Sequence, residues 1–255
     1  MDENKNIGGI IDSTAKHLPK TTSTADSIIS SILGIFDVLL TPFQALKEYK
    51  DFKMKQFKSN LQNKVNKIPE NRRKDILNLN IVGPTLEALK YTLFEDDLRE
   101  MFENLLVSSI DKEEDVFPSF VDIIRQLSSD EAKLLKYLAT HGNDYPLINV
   151  RIKMKSGGGY TEILSNFTDI GFGVCEKPEL VPTYLINLSR FGIISIPFGT
   201  YLVDNKFYEH LKSHIVIQDI LKQDISTIGS YDINKSKFHI TDYGLAFISA
   251  CVKEK

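Results

Sequence analysis

Between Ile81 and Leu138 apolar side chains recur at the spacing of amphipathic helices, and this stretch carries the strongest periodicity in the chain. Leu98, Met101, Phe102, Leu105 and Leu106 follow the i, i+3, i+4, i+7, i+8 pattern of one buried helix face. Asp97, Arg99, Glu100, Glu103 and Asn104 are expected on the opposite, solvent-facing side. Upstream, Gly83-Pro84 predicts a helix start at Pro84, with Leu86, Leu89 and Leu93 as its buried stripe. Downstream of the charged loop Asp111 to Asp115, Pro118 opens a helix that places Phe120, Ile123, Ile124 and Leu127 on one face. The next helix starts at Ser128, because Ser128-x-x-Glu131 matches a capping box, and buries Leu134, Leu135 and Leu138. Helices this short are unstable alone in water, so they must pack together. Each large apolar side chain buried there contributes about 1.5–3 kcal/mol.

Residues 1–23 are polar, with Gly8-Gly9 and Pro19 as breakers, and read as a mobile N-terminal arm. Ala25, Ile28, Ile29, Ile32, Leu33, Phe36, Leu39 and Leu40 then lie at helical spacing. A membrane span needs about 20 apolar residues, whereas this run is cut by Asp26, Asp37 and Pro42. A core helix is the expectation, with an interfacial helix shallow in lipid as the alternative. Thr41-Pro42 closes it and caps a long basic helix from Phe43 to Ile68. There Lys47, Lys50, Lys53, Lys55, Lys58, Lys64 and Lys67 outnumber Glu48 and Asp51, while Phe57, Leu61, Val65 and Ile68 form an apolar stripe. Arg72, Arg73 and Lys74 extend the basic excess.

After Thr140 the texture changes. Tyr145 to Met154 has the β-branched content of a strand, and Gly157-Gly158-Gly159 reads as a loop that lacks the Gly-Lys-Ser/Thr ending of a P-loop. Pro178 to Phe191 returns to helical spacing, with Gly192 as the residue after the helix. Ile193 to Ile196 and Tyr201 to Val203 suit a strand or a hairpin around Pro197 to Gly199. Asn205 to Lys222 is expected to be helical, Lys237 to Thr241 a strand, and Thr241 to Val252 a closing helix.

The runs GPTLEALKYT, LREMFENLLVSSID and FPSFVDIIRQLSSDEAKLL, in that order, resemble the abortive-infection alpha family of bacteria. The likeness extends to LLTPFQAL upstream and to NLSRFGII and FHITDYGLAFISAC downstream, so it covers most of the chain. One departure is Phe117, where the family pattern has a histidine before Pro-Ser-Phe. The resemblance implies a part in defence against phage and supplies no catalytic residues. Separately, a helix carrying N-L-S-R-F-G-I-I, strands, and then F-H-I-T-x-x-G-x-x-F resemble the winged-helix arrangement of bacterial regulators. A reading helix should offer Arg, Lys, Asn or Gln to DNA, and here Tyr184, Asn187 and Arg190 stand among apolar residues, with Lys177 nearby.

Composition adds bounds. The 255 residues suffice for one large or two ordinary domains, and the net charge of −3 gives no bulk preference for nucleic acid or anionic lipid. Secretion is not expected, since the N-terminus has no positive stretch followed by an apolar run. Two cysteines, Cys175 and Cys251, make no disulfide framework and lack zinc spacing. The expected location is the cytoplasm, with the inner face of the membrane as an alternative. His210 and His214 are four apart, as two metal ligands would be, but the H-E-x-x-H order is missing and surface histidines are the simpler reading. The acid pairs Asp96-Asp97 and Glu113-Glu114 are read as helix-start charges rather than cation ligands.

These observations lead to an α+β protein that is predominantly α: a helical bundle over 24–140, then a smaller winged-helix-like part over 141–255. No catalytic, cofactor or metal residues are assigned. The candidate interaction surface is Lys47, Lys50, Lys53, Lys58, Arg72, Arg73 and Lys74. It would face phosphate groups of lipid or nucleic acid, or else the acidic run Glu95 to Asp115 of the same fold. The expected function is non-enzymatic defence through binding of a protein, a second copy or a membrane surface. The alternatives are a nucleic-acid-binding regulator and a peripheral membrane-disrupting toxin.

Overall fold

The computed structural model of the chain describes residues 24–40 and 47–255, with side chains from 24 to 39 and from 52 onward. The expected arm over 1–23 and the Thr41-Pro42 junction lie outside the described residues. The protein is mainly α, with a smaller α/β part built on a four-stranded antiparallel sheet. Two compact units account for it. One extends to Ala132 and takes in Ala246–Lys255; the other is Lys133–Leu245.

In the helical unit, α1 (Ala25–Leu40) packs on α2 (Lys47–Asn66) and α3 (Leu79–Thr92), while α2, α3 and α5 (Ser119–Arg125) pack on α4 (Asp96–Ile110). The apolar stripe of α1 faces inward: Ile28, Ile29, Ile32 and Phe36 are buried, and Phe36 meets Phe57 of α2 edge-on at 5.3 Å. Helix α3 starts five residues before the proline expected to open it, because the Asn78 side chain accepts the Asn80 amide (3.1 Å) and caps the helix there. Pro84 thus sits inside α3, where it leaves the carbonyl of exposed Asn80 without its helical donor. The capping box at Ser128 forms as expected. The Ser128 amide donates to the Glu131 carboxylate (2.7 Å) and the Glu131 amide to the Ser128 hydroxyl (3.3 Å), opening α6 (Ser129–His141).

Helix α4 departs from the amphipathic expectation. Every residue from Met101 to Asp111 is buried, and so is Arg99. Its polar side is covered by α2 and by the end of the chain, where α10 (Asp242–Phe247) continues into a π-helical turn, Ile248–Val252. The carbonyls of Ala250 and Cys251 accept from the Ser108 hydroxyl (2.8 Å) and the Asn104 amide (3.1 Å). This is how the last ten residues return to the helical unit, and Phe247 adds an edge-on contact with Phe120 at 5.2 Å.

In the second unit β1 (Asp144–Met154) pairs with β2 (Tyr160–Phe167) and with β4 (Gly229–Ile240), and β3 (Ile194–Ser195) completes the order β2-β1-β4-β3. Strand β4 is far longer than the expected Lys237 to Thr241, pairing with β1 from Asp144↔His239 to Met154↔Gly229. Strand β2 was not anticipated. Its register shifts beside Asn166, whose φ of 55° and amide bond to the Asn149 side chain (2.7 Å) make a local irregularity that blurs alternation. Helix α7 (Val181–Arg190) ends at Gly192, φ +74°, after a 3-10 turn at Pro178–Leu180. The expected helix over 205–222 is two, α8 (Lys206–Ser213) and α9 (Ile215–Leu221), broken at His214, whose Nδ1 accepts the Val216 amide (3.3 Å). Tyr201–Val203 is not a strand.

Ile148, Val150, Phe167, Tyr208, Leu211 and Ile217 form a core between the sheet and α8–α9. The I-T-x-x-G pattern near the end also has a packing basis. The Thr241 hydroxyl donates to the Gly192 carbonyl (2.5 Å) and accepts the Gly244 amide (2.9 Å), while a Cβ on Gly244 would fall 2.0 Å from the Ile193 oxygen.

Candidate functional site

The interface of α2 with α4 holds a layer of charged side chains. Lys53 Nζ reaches Asp96 (2.7 Å), which also accepts from Arg99 Nη1 (2.5 Å). Lys64 Nζ donates to the Asn104 carbonyl oxygen (2.6 Å) and stands 3.5 Å from Glu103, whose carboxylate accepts from Asn60 Nδ2 (3.2 Å). Glu103 and Arg99 are almost completely enclosed, at 1% and 4% exposure, and Arg99 Nε is buried without a hydrogen bond, 3.5 Å from Glu103. Burial pushes the Glu103 carboxyl up, against the pull of Lys64, Asn60 and Arg99. Hydrogen bonds from Lys53 and Arg99 hold Asp96 below its ordinary value. The layer exists because lysines at i and i+11 on α2 face the carboxylates at i and i+7 on α4, a match the helical spacing permits but does not impose.

A second pairing ties the segment after α2 to the end of α4. Asp111 accepts from Arg72 Nε (3.1 Å) and Nη2 (2.5 Å) and from the Glu113 amide (3.0 Å), and Arg72 Nη1 adds Glu113 at 2.9 Å. These bonds hold the Asp111 carboxyl below its ordinary value although burial opposes them. Lys74 donates to the Ser109 carbonyl (3.1 Å), and Arg73 is buried opposite Asp111 in a single β-bridge. Lys255 and Ser249 meet Glu114 at 2.5 and 3.3 Å. Of the seven candidate residues, Lys53, Arg72, Arg73 and Lys74 are thus engaged inside the helical unit. Lys58 stays exposed beside Lys55, in a shallow groove with Gln62 and Asn63. Lys47 and Lys50 lie in the first turn of α2, with side chains outside the described residues.

The second unit distributes its chemistry differently. His214 caps α9, and His210 Nε2 lies 3.4 Å from Asp169. Among the described residues no group of three His, Cys, Asp or Glu side chains is placed to hold a metal ion. Cys251 is fully buried in the helical unit, and burial pushes its thiol well up. Burial likewise pushes the Tyr145 hydroxyl up to about 12, as it donates to the Gly142 carbonyl (2.8 Å). Beside its polar surface the unit exposes a run of large apolar side chains. Phe198 and Val203 are almost wholly in solvent, and Tyr201 and Phe207 are about half exposed. Tyr201, Val203 and Asn205 face Ile233, Asn234 and Lys235 of β4 across an open groove of about 530 Å³.

A family model described as abortive infection alpha matches residues 50–251. The chain belongs to the abortive infection alpha family. On this abortive infection alpha protein, GPTLEALKYT is the body of α3, LREMFENLLVSSID is α4, and NLSRFGII ends α7 and enters β3. The family-like residues thus build the cores of both units, and Phe117 sits two residues before α5, edge-on to Phe120 at 5.4 Å. No curated protein matches the chain. A solved structure similar to it, of an uncharacterized protein from the hydrocarbon-degrading marine bacterium Alcanivorax borkumensis SK2, shares 16% identity over 52% of this chain and 92% of that one, with a TM-score of 0.33. The exposed segment of this abortive infection alpha protein was missed in the sequence because Tyr201 to Val203 looked like a strand. The signal present was a run of large apolar residues after Pro197 and Gly199 with no alternation to bury them.

Proposed function

We propose that the protein is a non-enzymatic phage-defence protein of the cytoplasm that acts by binding a partner protein through the surface formed by Phe198, Tyr201, Val203 and Phe207. The exposure of these four side chains within ten residues carries the reading. Scattered apolar residues are ordinary on protein surfaces, but a concentrated apolar patch marks an interaction site. The helical unit supports it from the other side. The apolar stripe of α1 is packed and four of the candidate basic residues are engaged internally, leaving less of that unit for phosphate groups or lipid. Among the described residues no helix is long and apolar enough to cross a membrane.

The test is plating of phage on cells that produce the wild type or a Phe198→Ser, Val203→Ser double variant. The wild type should lower the efficiency of plating and the double variant should not, while both melt at the same temperature. Equal restriction by the two would sink the reading.

One observation favours a second reading, a winged-helix nucleic-acid binder. The succession α6, β1, α7, β3, β4, with β4 between β1 and β3 and with β2, α8 and α9 interposed, supports a winged-helix-like reading, and the segment from β1 toward β2 carries Arg151, Lys153 and Lys155. Against it, Arg151 is bonded to Asp232 (2.5 Å) and Arg190 is folded onto Asn187 (2.9 Å). Retention on duplex DNA that falls steeply with salt and is lost in Arg190→Ala and Lys177→Ala would favour this second reading.

A further inference from the structure

Strand β4 is an inner strand at one end and an edge at the other. Its pairing with β1 runs without interruption from Gly229 to His239, but on its far side β3 reaches only His239 and Ile240. The short ladder ends where Ile196 is followed by Pro197, which has no amide to donate, and the chain then turns away through Gly199 at φ +71°. Among the described residues no strand lies beyond Gly229 to Phe238, so every second residue there turns a peptide N–H and C=O outward.

The space beyond that edge is the groove lined by Tyr201, Val203, Asn205, Ile233, Asn234 and Lys235. Its far wall is held in place. The Tyr208 hydroxyl donates to the Ser236 carbonyl (3.0 Å) and accepts the Leu202 amide (2.7 Å), so one buried tyrosine ties the loop to the strand at a set distance. Its charge is equally defined. The Lys235 ammonium is held by neutral groups, the Asn205 side-chain oxygen and the Tyr208 ring 5.3 Å away. The groove therefore offers main-chain groups, apolar side chains and one positive charge that, among the described residues, no carboxylate meets in an ion pair.

We propose that the open edge of β4 receives an extended, acidic segment of a partner protein as an added strand, with apolar side chains against Tyr201, Val203 and Ile233 and a carboxylate on Lys235. Strand addition draws its affinity from main-chain bonds and its selectivity from alternate side chains. A second copy fits less well, because Lys235 stands on this edge and an edge lysine opposes pairing of like with like, whereas Lys237 is taken by Asp144 at 2.7 Å. This inference rests on the protein-binding reading above and specifies the partner's conformation and charge.

The test uses the full chain and a fluorescein-labelled peptide capped at both ends, Val-Thr-Val-Glu-Val-Thr-Val. Two companions accompany it: one N-methylated at alternate residues on both edges in turn, and one with lysine in place of glutamate. Fluorescence anisotropy should show binding of the first peptide, weakened at least tenfold by N-methylation on one edge and by the lysine. Lys235→Glu should reverse the preference between the glutamate and lysine peptides. Amide exchange in the wild type should slow within Gly229 to Phe238 when the glutamate peptide is bound, a readout that holds even if the variant folds poorly.

No binding, equal binding of the N-methylated peptides, or protection elsewhere in the chain would overturn the proposal. A dimer that the peptide dissociates would assign the edge to a second copy and overturn the acidic-segment assignment. Phage restriction separates the two levels. If the peptide fails but Phe198→Ser, Val203→Ser still abolishes restriction, strand addition falls and the protein-binding reading stands.

Discussion

In the helical unit Lys53 and Lys64 of α2 turn onto the carboxylates of α4, and Ile28, Ile32 and Phe36 of α1 turn into the core. In the sheet unit the large side chains Phe198, Tyr201 and Val203 stand in solvent beside a strand whose far edge, among the described residues, meets no strand from Gly229 to Phe238. Both units contain basic and apolar residues in quantity and both expose some, Ile76, Tyr91 and Phe52 singly in the helical unit, but only the sheet unit gathers four large exposed side chains within ten residues. The contrast shows why charge and hydropathy along the chain are poor guides to where a partner binds. A lysine is available for binding only if the neighbouring helix carries no carboxylate to take it, and an apolar run is a surface only if the backbone around it cannot be folded inward.

The contrast would break most visibly at α1. Ile32→Asp or Phe36→Asp places an unpaired carboxylate where exposure is 0%, and should cost more than about 4 kcal/mol and unfold the helical unit. Circular dichroism checks it; a folded variant with an unchanged melting temperature would mean that the α1 face is not core.

Next in size, Asp111→Ala removes the acceptor of two Arg72 bonds and of the Glu113 amide, and should lower stability by about 1–3 kcal/mol in urea unfolding. A smaller effect depends on pH. Because the Glu103 carboxyl is raised, its contribution is present below the ordinary 4.5 and is lost as pH rises through its higher folded value. Asp96 and Asp111 are lowered, so their contribution is present above 3.8 and is lost as pH falls through their lower folded values. Glu103→Gln should therefore gain stability relative to the wild type between pH 4 and pH 7, measured as the shift in urea midpoint. A difference that stays constant with pH would show that Glu103 is not held in a charge-disfavouring site.

The smallest effect on stability is expected at the displayed surface. Phe198→Ser and Val203→Ser should each change unfolding free energy by no more than about 0.5 kcal/mol, since neither side chain is packed. A large loss of stability in either would place these residues in a core and remove the difference between the units.

Local rules determined much of the architecture. The stripes Leu98–Leu106, Phe120–Leu127 and Leu134–Leu138 are buried as their spacing requires, the Ser128 capping box forms, and Gly192 ends α7 in the left-handed region. Those features depend on interactions within about four residues, which a linear pattern records. The family-like segments were legible for the same reason, since they carry the core positions of these helices.

Only the tertiary structure decided the rest. Arg99, Glu103 and Asn104 look like a solvent face until Lys64 of α2 and the Cys251 carbonyl close over them from 40 and 147 residues away. Strand β4 is extended through Asp232-Ile233-Asn234-Lys235 because β1, some eighty residues earlier, supplies its ladder, and nothing local in that polar stretch calls for a strand. The open edge and its groove likewise follow from where Pro197 ends β3 and where Tyr208 anchors the loop. Burial and pairing at long range are properties of which surfaces meet, and the pattern along one segment does not contain the partner that covers it.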